Sequence, residues 1–263
     1  MARLEYKYLV PVDALPALRR NLEPFTEPDP FARNSADRTY TVRSIYFDTP
    51  GLDFYYDKIA GLEKRIKVRI RGYDLISEDR IVFLEVKRKR EAFISKDCSP
   101  VMFRDVEALL ATGDVDSYIL NAAESIISAQ SARRFLYHVH ARSLRACIVV
   151  TYEREAYVNR IKHDIRITFD KSVRCGRVTG PHLVFAGMVE NLVLPEHCIL
   201  EVKSSRGLPL WISRLIGRFE LQQQSLSKYS MCIEFQNRCF AKPTAGERRF
   251  IISQNGKDYH RHV

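Results

Sequence analysis

The run that most constrains the chain is Lys64 to Arg71, Lys-Arg-Ile-Lys-Val-Arg-Ile-Arg. Successive side chains on a β-strand point to opposite faces, so Arg65, Lys67, Arg69 and Arg71 share one face and Ile66, Val68 and Ile70 the other. One such row of cations is compatible with a strand that faces water. The pattern recurs, however: Glu85, Lys87 and Lys89 share a face of Phe83 to Lys89, Glu201 and Lys203 a face of Leu200 to Lys203, and Arg3, Glu5 and Lys7 a face of the first segment. Charged faces on several strands, each backed by apolar residues, predict a sheet closed around a charged interior.

With 263 residues the chain is long enough to bury a substantial core, and its 42 basic against 32 acidic residues leave a formal charge of +10. That balance favours a polyanionic partner: nucleic acid, an anionic membrane surface or a phosphate chain. The six cysteines are scattered without a Cys-x-x-Cys pair, which speaks against zinc or a disulfide framework. The charged start Met-Ala-Arg-Leu-Glu-Tyr-Lys has no apolar signal core, and no stretch approaches ~20 uninterrupted apolar residues. These features predict a cytoplasmic protein without a membrane span.

Strands are expected over Leu4 to Val10, Thr39 to Asp48, the basic run after Gly61, Ile81 to Arg88, Arg145 to Tyr157, His163 to Asp170 and Cys198 to Ser204. Residues 74–79 fall in a polar hairpin connection between Tyr73 and Arg80. Helices are expected over Val12 to Leu22, Pro100 to Leu110, Asp116 to Ser131 and Pro209 to Leu221, with Ser225 to Phe235 open between helix and strand. Residues 23–38 and 171–195 read as irregular. No hinge-like linker divides the plan, so the expected fold is α+β, one domain built on a closed antiparallel β-sheet of about seven strands with a few peripheral helices. It occupies residues 1–240, and a polar tail follows over 241–263. Leu84-Glu85-Val86-Lys87 returns as Leu200-Glu201-Val202-Lys203, a hint of two related halves.

A lumen carrying Lys7, Arg69, Arg71, Lys87, Lys89, Arg154, Arg166, Lys203 and Lys228 would need an anion among its cations, because unpaired charges repel and are costly to desolvate. A linear phosphate chain offers oxygens to guanidinium forks and ammonium groups at strand spacing. Glu5, Glu85 and Glu201 have two readings: salt-bridge partners that set the register of the cations, or ligands of a divalent metal that bridges to phosphate, with Glu201 the preferred ligand.

Arg3-Leu4-Glu5-Tyr6-Lys7-Tyr8, Arg43 to Pro50, Lys67 to Tyr73, Leu84 to Lys87, Tyr152-Glu153-Arg154, Leu200 to Lys203 and Ser227-Lys228-Tyr229 together resemble the VTC-domain polyphosphate polymerases of the triphosphate tunnel metalloenzyme, or CYTH, superfamily. The resemblance spans residues 3 to 236. It implies an eight-stranded tunnel that binds ATP, triphosphate or polyphosphate with Mn²⁺ or Mg²⁺ and transfers the ATP γ-phosphate to a growing chain. By the same resemblance Arg69, Arg71, Arg166 and Lys228 are catalytic. Lys7, Lys87, Lys89, Arg154, Lys203 and Ser227 join them in binding substrate, and Glu201 holds the metal; Glu5 and Glu85 are further metal candidates from their place among the cations. Arg3 stands where the wider superfamily carries the first glutamate of Glu-x-Glu-x-Lys, which weakens a two-metal hydrolytic reading. Triphosphate hydrolysis in the same tunnel and non-catalytic polyphosphate binding are the alternatives. Nucleic acid is disfavoured because no aromatic stacking platform recurs among the cations. Coupling to a membrane would take a separate partner, and the oligomeric state is left open.

Overall fold

The computed structural model describes residues 4–32, 37–73, 80–91, 93–185 and 190–240. The expectations for Arg3, for the 74–79 connection and for the 241–263 tail lie outside the described residues. In chain order the strands are β1 (Leu4–Pro11), β2 (Thr26–Pro28), β3 (Thr39–Asp48), β4 (Lys64–Tyr73), β5 (Ile81–Arg90), β6 (Phe93–Met102), β7 (Arg145–Asn159), β8 (Ile165–Arg177), β9 (Asn191–Leu192) and β10 (His197–Ser204). The helices are α1 (Leu15–Leu22), α2 (Asp53–Ile59), α3 (Val106–Thr112), α4 (Val115–Tyr118), α5 (Ile126–Ala141), α6 (Leu210–Arg218) and α7 (Lys228–Phe240).

The strands pair antiparallel in the order β1-β10-β8-β7-β3-β4-β5-β6, with β2 added to β7 and β9 to β8. Strand alternation sorts the side chains as the sequence pattern requires. Val68 and Ile70 of β4, Leu84 and Val86 of β5 and Ile45 and Phe47 of β3 go to one face, where Phe135, Leu136 and Val139 of α5 and Leu109 of α3 cover them. In the other half of the sheet, Ile165, Ile167 and Phe169 of β8 and Leu200 and Val202 of β10 pack against Leu15, Leu18 and Leu22 of α1 and Ile212 and Leu215 of α6. These two helical packs clothe the convex side. On the concave side Tyr46, Val150, Tyr152 and Val173 receive α7 through Tyr229, Cys232 and Ile233, with Tyr55 of α2 in the same cluster.

The sheet is open, which corrects the expectation of a closed barrel. The free edge of β1 is taken by the segment leading into α7: the amide of Gln224 donates to the carbonyl of Lys7 at 2.8 Å, and Tyr8 bridges to Gln223. The free edge of β6 is taken by the segment after α4, where Val101 bridges to Ile119 and the amide of Leu120 donates to the carbonyl of Pro100 at 3.2 Å. Both edges have partners before they reach one another, so neither is left as a bare row of donors and acceptors. Curling still brings the two ends of the sheet together through side chains. Lys87 of β5 lies 3.0 Å from Glu5 of β1, although five strands separate β1 and β5 along the pairing order.

Three further departures from the expected elements are local. The strand β6 takes Pro100 to Met102, where the sequence pattern predicts the opening of a helix, together with residues 93–99, for which it predicts no element; Pro100 is accommodated because the outer edge of that strand is only partly paired. α5 runs to Ala141, beyond the end expected at Ser131, and the concave-side stretch around Ser225 to Phe235 resolves as helix. The residues after Gly51 form α2, organised by the buried carboxylate of Asp48. It accepts from the amides of Thr49 (2.7 Å), Phe54 (3.0 Å) and Tyr55 (3.1 Å), and from the hydroxyl of Tyr229 on α7. One side chain thus ties the end of β3 to α2 and α7. Asp48→Ala strands those donors in a dry site, and each buried unsatisfied donor costs about 1–3 kcal/mol. Urea unfolding is expected to show a loss of at least ~2 kcal/mol with an unchanged m value.

Candidate functional site

The concave face is charged in two layers. The inner layer is neutralised by the protein itself. Arg154 of β7 donates to both oxygens of Asp170 of β8, at 2.6 and 2.8 Å, and Lys228 at the start of α7 contacts the same carboxylate. Asp170 is wholly buried. Burial opposes its charge, yet Arg154 and Lys228 bring its pKa down to about 2. Both cations also stand over the ring of Tyr152, Arg154 at 5.2 Å and Lys228 at 4.7 Å.

Arg69 donates to Glu85 at 2.6 Å and to the hydroxyl of Tyr46 at 2.8 Å; Arg71 lies 3.8 Å from Glu85 and 3.4 Å from Ser44. Lys96 of β6 completes the cation shell of Glu85. Burial works against that carboxylate too, and Arg69 and Arg71 hold it well below the usual range. Arg166 donates to Asp29 at 2.8 Å and to Tyr40 at 3.0 Å. Arg69, Arg71, Arg154, Arg166 and Lys228 therefore each have a carboxylate within the fold, because a buried strand face does not tolerate bare charge.

The outer layer is different. A cleft of about 450 Å³ opens where the two ends of the sheet approach, lined by Lys7, Lys58, Arg65, Lys67, Lys87 and Lys89 with Glu5 the one carboxylate. Gln223, Gln224, Ser225, Leu226 and Ser227, from the segment along β1, form its floor, and Leu4 and Ile94 its apolar rim. Six cations against one carboxylate make a local surplus that the fold leaves standing. Lys67 shows the consequence most clearly. Its ammonium donates to the hydroxyl of Ser227 at 2.8 Å. Desolvation, then repulsion from Lys7, Lys87 and Arg69, puts its pKa well below the ordinary lysine range. Lys87 is lowered by the same burial, partly offset by Glu5.

Lys7 joins the layers. Its ammonium is 3.4 Å from Glu5, 3.8 Å from Glu201 and 3.3 Å from the carbonyl of Leu226. Glu201 also holds Lys203, at 2.9 Å. Burial opposes charge on Glu201, and Lys7 and Lys203 keep its carboxyl far down. Glu5 and Glu201 thus share Lys7 between the layers, and each holds a second lysine, Lys87 for Glu5 and Lys203 for Glu201; their oxygens are of the kind a hard divalent ion takes. Glu85, enclosed by three basic side chains, fits the salt-bridge reading instead. No group of three His, Cys, Asp or Glu is arranged for a metal among the described residues.

Of the residues expected from sequence, Lys7, Lys87, Lys89, Ser227 and Glu5 meet in the cleft, Glu201 and Lys203 adjoin it through Lys7, and the rest form the paired layer. The expectation omitted Lys58 and Arg65 as cleft residues, gave Lys67 no role, and left out Asp170 and Asp29 as counter-charges. Lys67 was visible in the alternation of the basic strand; Lys58 sits on α2, which carries no strand pattern. No helix among the described residues is long and apolar enough to cross a membrane.

The VTC domain family model matches residues 2–237. No curated protein matches the chain. Among solved structures, a Hippeastrum protein described as a candidate adenylyl cyclase with a dominant triphosphatase activity is 15% identical, with 89% of this chain and 96% of that one covered at a TM-score of 0.47. A candidate adenylate cyclase from Bacillus halodurans is 12% identical, with 92% and 100% covered at 0.47. A third, from Vibrio parahaemolyticus, is 12% identical, with 88% and 97% covered at 0.42.

Asp170→Asn removes the shared counter-charge of two buried cations, and breaking a buried pair in this way costs about 3–5 kcal/mol. Denaturant unfolding at neutral pH measures that loss. The contribution of Asp170 is complete above its unfolded pKa of 3.8 and fades as pH falls through about 2, so acid titration of stability should be shallower in the variant over that interval.

Proposed function

The chain belongs to the VTC domain family, and from that premise we propose that it is a polyphosphate polymerase, transferring the γ-phosphate of ATP to the end of a growing phosphate chain held in the cationic cleft. The observation that carries the reading is the uncompensated charge of that cleft, six basic side chains against Glu5. A phosphate chain supplies anionic oxygens at intervals that Lys7, Lys67, Lys87 and Lys89 can meet together, and each charge-assisted bond is stronger than a neutral one.

The roles follow from position. Lys67 and Lys87, on paired strands, bind the phosphates that enter the cleft; Arg69 and Arg71, one step deeper on β4, stabilise charge on the transferred group; Arg154, Arg166 and Lys228 hold the far phosphates. Glu85 and Asp170 orient the guanidinium and ammonium groups, so the donors are in place before substrate arrives and little reorganisation accompanies the reaction. Glu201 and Glu5 are the ligands for Mn²⁺ or Mg²⁺, which when bound neutralises phosphate oxygens and draws charge from the bond being broken. The attacking group is a phosphate oxygen already ionised at neutral pH, so positioning and cation stabilisation carry the step and the protein supplies no nucleophile.

Incubating the purified protein with ATP and Mn²⁺ should yield acid-insoluble polymer and ADP. Release of free phosphate without polymer would instead establish triphosphate hydrolysis, and tight polyphosphate binding without turnover a binding module. Lys67→Met, which removes one charge and leaves every ion pair intact, should weaken tripolyphosphate binding by about 10- to 100-fold, the worth of a hydrogen bond to a charged group. A dissociation constant from titration calorimetry checks it.

Binding should also take up protons. A bound anion raises the depressed pKa of Lys67, so between the free and bound values one proton enters with the ligand and affinity falls by about tenfold per pH unit as pH rises. Below the free value the lysine is already charged and uptake ceases. Calorimetry in buffers of different ionisation enthalpy measures the uptake, which Lys67→Met should diminish.

A further inference from the structure

The inner-layer cations described above all have acceptors, but one hydroxyl on the same face does not. Thr168 of β8 is 4% exposed, and its Oγ1 has no hydrogen-bond partner among the described residues. A hydroxyl in that condition has lost its water and gained nothing in return, and such groups in folded proteins call for an explanation. Its direction is fixed by strand alternation. The adjacent Ile167 and Phe169 point to the convex core, while Arg166 and Asp170, two residues away on either side, carry the inner-layer ion pairs.

The neighbours across the strands fix what surrounds it. Thr168 is in register with Glu201 of β10 on one side and Ala156 of β7 on the other. Ala156 is the smallest of the concave side chains of β7, between Arg154 and Val158 in the register. One step along, Arg166 is in register with Lys203. Arg154 gives its protons to Asp170, Arg166 to Asp29 and Tyr40, and Lys203 to Glu201. The proton with nowhere to go is that of Thr168.

We infer that Thr168 is a substrate-binding residue, its hydroxyl donating to an oxygen of one phosphoryl unit lodged between Ala156 and Glu201. The inference rests on the proposed phosphate-chain reading and deepens it. The cations attract a chain over a distance but let it slide, since each accepts any oxygen within reach. A hydroxyl of fixed position and short reach holds one unit in one place, and so sets the register of the chain against Arg166 and Lys203.

The test is a pair of near-isosteric variants with two readouts. Thr168→Val keeps the shape and deletes a polar atom that has no partner in the free protein, so its melting temperature should equal or exceed that of the wild type. Its affinity for inorganic tripolyphosphate should fall by about tenfold. Thr168→Ser restores the hydroxyl and should recover most of the affinity. Unchanged affinity in Thr168→Val overturns the assignment, and so does a loss of affinity that comes with a lowered melting temperature, which would mark a packing role. If the wild type itself fails to bind tripolyphosphate, the phosphate-chain reading falls, an outcome separate from either result with the variants.

Discussion

Asp170 holds two cations from two different elements, Arg154 of β7 and Lys228 of α7, with none of its own surface in water. The concave side of the sheet depends on this kind of compensation. A curled sheet that gathers basic residues on its inner face accumulates repulsion as it curls, and in a dry interior that repulsion is several kcal/mol per uncompensated charge. Glu85 and Asp29 perform the same service for Arg69, Arg71 and Arg166. At the mouth the protein stops compensating and the surplus remains.

α7 has a double role in this arrangement. Its apolar side, Tyr229, Cys232 and Ile233, fills the concave face and supplies core that the convex side cannot. Its beginning delivers Ser227 to Lys67 and Lys228 to Asp170. The segment before it pairs with the edge of β1 through Gln224 and Lys7. The polypeptide that closes one end of the sheet is therefore continuous with the one that builds the floor of the cleft. Asp48, which receives the Tyr229 hydroxyl, anchors that continuity to β3.

Much of this was legible in the alternation of charge and apolar residues. The face of β4 that carries Lys67, Arg69 and Arg71, and those of β5 and β10, follow directly from period two, and the strand Thr39–Asp48 has the expected bounds. What was not legible was pairing at a distance. Alternation identifies which face a carboxylate lies on, but not which cation it meets, so Asp170 read as one polar residue of a strand. Closure was misjudged for a related reason. Nothing in Gln223-Gln224 or in Ile119-Leu120 marks them as edge partners, since their contribution is made by backbone amides and carbonyls that every residue carries. β6 escaped because Pro100 and its polar neighbours lack the β-branched run that betrays the other strands.

The division into a paired layer and a surplus layer bears on what such a cleft selects. A single phosphate can engage one or two of the lysines at the mouth, and the rest of the surplus persists. A chain engages them in succession, each contact made at the high effective concentration set by the one before it, so affinity grows with length faster than the contacts would suggest singly. The inner layer adds little to that growth, because its cations already have carboxylates and a phosphate must share or displace them. Its contribution is orientation. Donors that are held in place by Glu85 and Asp170 do not have to be gathered when charge shifts along the chain, and the free energy of holding them was met when the protein folded.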